Sequence, residues 1–149
     1  MIALIQRVTA ARVEVAEDCV GRIDRGLLAL VAVERGDGDA QVARLAERLL
    51  GYRVFPDEDG RMNRSVVDIG GELLLVSQFT LAADTAKGMR PSFTPAADPA
   101  TGERLFGVLI EECERRLPGR IATGRFRADM QVTLTNDGPV TFLLRTVPA

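Results

Sequence analysis

Apolar positions recur along this chain in two rhythms, and the switches between them outline its elements. Residues 2–9, "IALIQRVT", alternate loosely and read as a strand that continues through "RVEVA" at 12–16. "EDCVG" turns the chain into "GRID", and Gly26 precedes "LLALVAVE", an apolar run of the length of a buried strand. "ERGDGD" breaks it. Val42, Leu45, Ala46, Leu49 and Leu50 then keep a helical period, with Asp39 placed to cap the helix and Gly51 to end it. "YRVFPDEDGRMN" predicts a short strand and a turn, and "IGGELLLVSQFTL" a long strand entered through Gly70-Gly71.

The stretch 82–99, "AADTAKGMRPSFTPAADP", has no period and contains three prolines. A loop of this length inside a compact domain is functional or disordered. A second helix is predicted from about Thr101 to Leu117, burying Phe106, Leu109, Ile110, Cys113 and Leu117 with "EECERR" outside. "RIATGRF", "DMQVTLT" and "PVTFLLRT" read as closing strands. Between the last two, Asn136-Asp137-Gly138 has the chemistry of a hairpin turn, since these residues tolerate positive φ. Pro139 comes immediately after, and proline belongs at strand starts, edges or bulges. Two helices among about eight strands predict a single mixed α/β domain over residues 1–149.

At 149 residues and 46% hydrophobic, the chain can bury a sizeable core. No apolar run approaches the ~20 residues of a membrane span, and "MIALIQRV" lacks the layout of a cleavable signal peptide, so a cytoplasmic location is expected. The two cysteines, Cys19 and Cys113, are too few for a disulfide framework or a zinc cluster. The chain has no histidine, which removes Ser-His-Asp and Cys-His chemistry and histidine-ligated metals, leaving only carboxylate sites of the magnesium type. A net charge of −2 and a pI near 5.3 supply no global basic field, so any nucleic acid would be gripped locally, by a short end.

Four stretches could carry chemistry. In "SQFTL", 77–81, strand alternation puts Ser77 and Phe79 on one face and Gln78 and Thr80 on the other. Either hydroxyl could be a nucleophile, but it would need a base; Lys87, the only lysine, is one candidate, and a solvated loop cation is the plainer reading of it. The plain alternative is a polar strand end. "KGMRPSF", 87–93, is an exposed loop or a small phosphate patch beside Phe93. "PDEDG", with Asp57, Glu58 and Asp59, is a solvated acidic turn or a magnesium site. Gly138-Pro139 is an ordinary trans link closing a hairpin, or a cis bond, found at about 5–6% of such positions, that aims backbone carbonyls in an unusual direction. The residues themselves leave these pairs open.

"MIALIQRVTAARVEV", "GLLALVAVERGD", "MNRSVVDIGGELLLVSQFTL", "KGMRPSF" and "ADMQVTLTNDGPVT" together resemble the D-aminoacyl-tRNA deacylases. The likeness runs from Met1 to about Thr141, and two signature stretches, SQFTL at 77–81 and N-x-G-P-x-T at 136–141, stand intact. The resemblance implies a largely antiparallel or mixed sheet forming a barrel-like core with two helices packed on it. It implies hydrolysis of the ester joining a D-amino acid to the terminal adenosine of tRNA, without cofactor or metal, by a homodimer. Each Gly138-Pro139 tip, cis, enters the partner's pocket and leaves no room for an L side chain; glycine, lacking one, passes.

By the same resemblance Ser77, Gln78, Phe79 and Thr80 line the pocket around the ester, with Met130 nearby. Arg7 fixes the tip, supported by Asn136 and Thr141 of the second signature. Lys87 and Arg90 are candidates for tRNA phosphate contacts, and neither DNA nor membrane is expected as a partner. Two other readings accompany this one: an esterase with Thr80 or Ser77 as nucleophile, and a non-catalytic module binding RNA ends or another protein.

Overall fold

The computed structural model describes residues 1–148. In chain order it has β1 (Ile2–Val15), β2 (Asp18–Ile23), β3 (Gly26–Ala32), α1 (Asp39–Gly51), β4 (Phe55–Pro56), β5 (Met62–Arg64), β6 (Glu72–Ser77), a 3₁₀ turn (Phe79–Ala82), α2 (Pro99–Arg116), β7 (Ile121–Thr123) and β8 (Gln131–Arg145). Strands β4 and β5 form a separate hairpin; the rest make one sheet in the order β2-β1-β3-β6-β7, with β8 along the other edge of β1. Strand β1 is antiparallel to β2, β3 and β8, whereas β3–β6 and β6–β7 are parallel.

The long first strand shapes this sheet. Its first half, Ile2–Val8, pairs with β3 and its second half, Ala11–Val15, with β2. The sheet curls until β2 nearly meets β7: a Cβ on Gly21 would lie 2.4 Å from the Thr123 carbonyl oxygen. The curl gives an interior and an exterior, both apolar. Val8, Ala11, Val13, Leu28, Leu74 and Val76 pack inside. Leu27, Ala29, Leu73 and Leu75, their neighbours in sequence, face outward onto Leu45 and Leu49 of α1 and Leu105 and Leu109 of α2. A strand covered on both faces reads as an unbroken apolar run, which is why "LLALVA" and "ELLLV" do not alternate. Each fully buried leucine contributes about 1.5–3 kcal/mol. Among the described residues, no helix is long and apolar enough to cross a membrane.

Both helices appear where their apolar stripes predict, with shifted ends. Helix α1 is capped at Gly38 rather than Asp39, because the Gln41 side chain accepts the Gly38 N–H at 2.8 Å and Asp39 is already helical. Gly51 is its last residue and Tyr52 the C-cap. Helix α2 starts at Pro99, since Asp98 accepts the Thr101 N–H at 3.1 Å and proline is tolerated in the first turn. Its stripe gains Gly102 and Leu105, while Ile110 lies at the margin, half-buried.

The expected hairpin at Asn136-Asp137-Gly138 does not form. Strand β8 runs on from Gln131 to Arg145, paired with β1 on both sides of an interruption at 137–140. Gln6 pairs with Thr141 and Val8 with Asn136, so the four residues 137–140 stand opposite Arg7 alone. The turn chemistry is used for a bulge that leaves the ladder and returns to it, and Pro139, with no N–H to donate, sits where no ladder bond is asked of it.

The tightest joint in the sheet is Gly26, whose added Cβ would lie 1.8 Å from the Glu72 carbonyl oxygen, in the paired backbone of β3 and β6. Gly26→Ala is expected to lower unfolding free energy by about 2 kcal/mol or more. Denaturant titration measures this directly, and an unmoved midpoint would show that the two strands part without cost.

Candidate active site

A cleft of about 470 Å³ opens between the carboxyl ends of β3 and β6, the start of α2 and the segment between β7 and β8. Ligands in parallel sheets settle beyond the carboxyl ends of the strands, where loops diverge. The walls carry Val31, Val76, Phe106, Phe126 and Val132, with Ser77, Gln78 and Phe79 at the strand end and Met130 across from them. Gly124 gives the Met130 side chain its place: a Cβ there would lie 2.7 Å from the Met130 sulfur.

The alternation predicted for SQFTL ends at Ser77. Gln78 N–H makes the last rung, to the Val31 carbonyl at 2.7 Å, and the chain then winds into the 3₁₀ turn, with Leu81 N–H donating to Gln78 O at 3.1 Å and Ala83 N–H to Thr80 O at 3.2 Å. The strand-face assignment of Phe79 and Thr80 therefore lapses. Their N–H groups, first in the turn, have no acceptor among the described residues. Gln78 Nε2 donates to Thr80 Oγ1 at 2.5 Å, so the Thr80 hydroxyl keeps its own proton to give elsewhere. Ser77 is half-buried in the cleft wall, and Phe79, 60% exposed, leans on Phe93 at a centroid distance of 5.2 Å.

The loop after the turn is ordered. Asp84 and Ser92 exchange backbone hydrogen bonds of 2.7 and 2.9 Å, closing residues 85–91 into a lobe. Arg35 N–H to Pro95 O and Ala97 N–H to Val33 O, both 3.0 Å, clip its return to the end of β3. Lys87 and Arg90 are exposed on this lobe, outside the cleft lining, and Lys87 is not hydrogen-bonded to either candidate hydroxyl.

The second signature makes a separate cluster. Arg7 Nε donates to the Asp137 carbonyl at 3.0 Å and lies 3.5 Å from its carboxylate, while Arg7 Nη1 donates to Val54 O at 2.7 Å. Asn136 Oδ1 accepts the Val140 N–H at 2.8 Å, and its Nδ2 donates to Thr141 Oγ1 at 2.9 Å. Gln6 Nε2 reaches the same hydroxyl at 3.3 Å. Val140 is buried beneath, and Gly138 and Pro139 are exposed at the apex, their peptide bond cis. Arg7, Asn136, Thr141, Gly138 and Pro139 thus lie together, and none of them lines the cleft of Ser77, Gln78, Phe79 and Met130.

Sequence reasoning missed Asp98 and Arg127, which also line the cleft. An Asp-Pro pair with a threonine shortly after is a helix-start signal, so Asp98 was within reach. Arg127 falls between the stretches that read as strands; β7 stops at Thr123, and Arg127 lies in the loop beyond. The acidic turn at 57–61 is self-contained: Asp57 accepts from Asp59 N–H, Arg61 N–H and Asn63 Nδ2 at 2.8–3.0 Å. Those bonds, Asn63's first, hold its carboxyl below the usual aspartate range. Burial pushes the Cys113 thiol up to about 12, leaving it an inert core residue.

Unpaired amide donors beside an apolar cleft suit a reaction that builds negative charge on a carbonyl oxygen, and ester hydrolysis is such a reaction. A family profile described as D-Tyr-tRNA(Tyr) deacylase matches residues 4–145. A D-aminoacyl-tRNA deacylase of Methylococcus capsulatus is 70% identical over 99% of this chain and 96% of its own, and one of Halorhodospira halophila 61% identical over the same shares. The solved structure of the c-Myc DNA unwinding element binding protein superposes with a TM-score of 0.95 at 36% identity, covering 99% of both chains. The chain belongs to the D-Tyr-tRNA(Tyr) deacylase family. As a member it is a hydrolase acting on carboxylic ester bonds.

Asp98 forms one lip of the cleft while capping α2, and its bonds from Thr101, side chain first, hold its carboxyl below the ordinary 3.8. A carboxyl lowered on folding stabilises the fold above its unfolded pKa and loses that contribution as pH falls through the folded value. Asp98→Ala should therefore unfold at lower denaturant than the parent at pH 7, and the gap should close as the pH drops below the usual aspartate range. A gap independent of pH would show that the carboxylate's charge is not what holds the helix start.

Proposed function

We propose that this chain frees tRNA from D-amino acids, that its cleft takes the terminal adenosine and its ester, and that selection for D is performed by the Gly138-Pro139 tip of a second copy. The observation that carries this reading is the position of the tip: rigidly held, exposed, and out of the lining of its own cleft. A tip so fixed is of use to a neighbouring subunit, and a homodimer satisfies both copies at once by twofold symmetry. Selection by rejection needs a wall that does not yield, which main chain clamped by Arg7 and Asn136 provides better than a mobile side chain. A wall that excludes an L side chain does not exclude hydrogen, so glycyl-tRNA is also a substrate.

In the chemical step, water attacks the ester carbonyl carbon, and the Phe79 and Thr80 N–H groups receive the resulting oxyanion. The bond to the ribose 3′-oxygen then breaks, and that oxygen takes up a proton, assisted by the neighbouring 2′-hydroxyl. An aminoacyl ester is already reactive, so positioning and charge stabilisation suffice without imidazole. Ser77, Gln78 and Thr80 orient the ester, Met130 and Phe79 shape the pocket, and Lys87 and Arg90 on the lobe meet phosphates of the single-stranded acceptor end. The setting is the cytoplasm, where charged tRNA is found.

Incubation with D-tyrosyl-tRNA and L-tyrosyl-tRNA is expected to release the D amino acid and spare the L; equal cleavage, or survival of the D ester, would overturn the assignment. Thr80→Ala is expected to slow turnover only partly. Near-total loss with a trappable acyl-enzyme would favour the nucleophile reading instead. Arg7→Ala removes the charge-assisted bond to the Asp137 carbonyl beside the tip, and kcat/KM for D-tyrosyl-tRNA should fall about tenfold or more. Gly138→Ala should harm both activity and stability, because φ is +140° there and the new Cβ would sit 2.7 Å from Val140 Cγ2. Wild-type turnover by this last variant would remove Gly138 from the site.

A further inference from the structure

The cleft's charged equipment is sparse, and one part of it has no structural employment. Of the two charged residues in the lining, Asp98 is occupied as the cap of α2. The other is Arg127, exposed, and in none of the ion pairs among the described residues. Its backbone is unusual as well. Among the described residues, three other than glycine have positive φ: Ala16, Glu17 and Arg127. The first two form the two-residue turn between β1 and β2, where hairpin geometry demands that conformation. Arg127, at φ +65°, takes the third position of the turn that the Ala128 N–H closes on the Arg125 carbonyl at 3.2 Å, a position where turns of type II call for positive φ. That position is filled most easily by glycine or asparagine, yet here it carries an arginine on the cleft lining.

The same cleft is lined by Ser77, Gln78 and Phe79, where the proposed deacylase function, on which this inference rests, places the ester. A nucleoside filling an apolar cleft leaves its 5′-phosphate at the mouth. In a chain of net charge −2 that phosphate finds no general attraction, so its hold must be local. Guanidinium is suited to it, offering two parallel donors in fixed geometry.

We infer that Arg127 is a phosphate-positioning residue, which grips the phosphodiester on the 5′ side of the RNA's terminal nucleoside and sets how deeply that nucleoside enters the cleft. It is distinct from Lys87 and Arg90, which stand on the lobe outside the lining.

The test uses Arg127→Gly and Arg127→Lys. Glycine takes the left-handed conformation freely, so the first variant should keep its thermal midpoint, and any loss is then a loss of contact rather than of fold. Affinity for uncharged tRNA, measured by filter binding across a salt series, should fall about tenfold in Arg127→Gly, with the slope of log affinity against log salt shallower by about 0.7. Arg127→Lys should recover the slope and part of the affinity. With D-tyrosyl-tRNA the loss should fall on KM more than on kcat. Two small substrates, D-tyrosyl-adenosine with and without a 5′-phosphate, locate the contact: the parent gains from the phosphate and Arg127→Gly does not.

An unchanged salt slope in Arg127→Gly would overturn the inference. So would an equal loss on both small substrates, which would place the guanidinium on the base. If the parent binds tRNA with an Arg127-dependent slope yet cleaves no aminoacyl ester, the phosphate contact stands and the deacylase reading falls. If the parent binds no tRNA, both fall.

Discussion

The Arg7 guanidinium ties β1 to the segment after α1 and to the part of β8 that leaves the ladder. From the middle of β1 it reaches the Val54 carbonyl on one side and the Asp137 carbonyl on the other, and it is largely buried in doing so, with 13% of its side chain exposed. Four residues of β8 leave the sheet opposite this one residue, and without a donor on the β1 side their carbonyls would face only one another. Hydrogen bonds from a charged group in a partly buried place are worth about 1.5–3 kcal/mol each. Asn136 finishes the clamp by accepting from Val140 and donating to Thr141, so the excursion is held at its base from both sides. The apex is left free, and the base is not.

The cleft depends on a different constraint, the parallel pairing of β3, β6 and β7. Parallel neighbours put their carboxyl ends at one end of the sheet, and β6 stops there because Gln78 spends its N–H on Val31. Beyond Gln78 the chain makes one turn of 3₁₀ helix whose opening amides are unclaimed. Backbone donors of this kind do not titrate, and the chain has no histidine.

Legibility in the sequence varied with the range of the deciding interaction. Leu27–Val31 and Leu73–Val76 are legible as buried strands because burial on both faces leaves an unbroken apolar run. The helical stripes are equally plain, yet their ends are not, since Gly38 with Gln41 and Asp98 with Thr101 compete with more obvious caps nearby. Period-two reasoning misassigns Phe79 and Thr80 because alternation has no signal for the last rung of a ladder. Asn136-Asp137-Gly138 reads as a hairpin on sound local grounds; the partner that makes it a bulge, Arg7, lies 130 residues away from Asp137. Arg127 is invisible for a simpler reason: residue type does not announce a left-handed backbone unless the residue is glycine.

The ladder between β1 and β8 joins Ile2 to Arg145 and Glu14 to Gln131, so it closes nearly the whole sequence upon itself. During synthesis, one flank of β1 must wait until the final strand has left the ribosome. A nascent chain halted before that point would display a bare fourteen-residue edge, an invitation to pair with another chain. The excursion at 137–140 lies within β8 itself, so the strand that covers this edge of β1 brings the projecting tip with it.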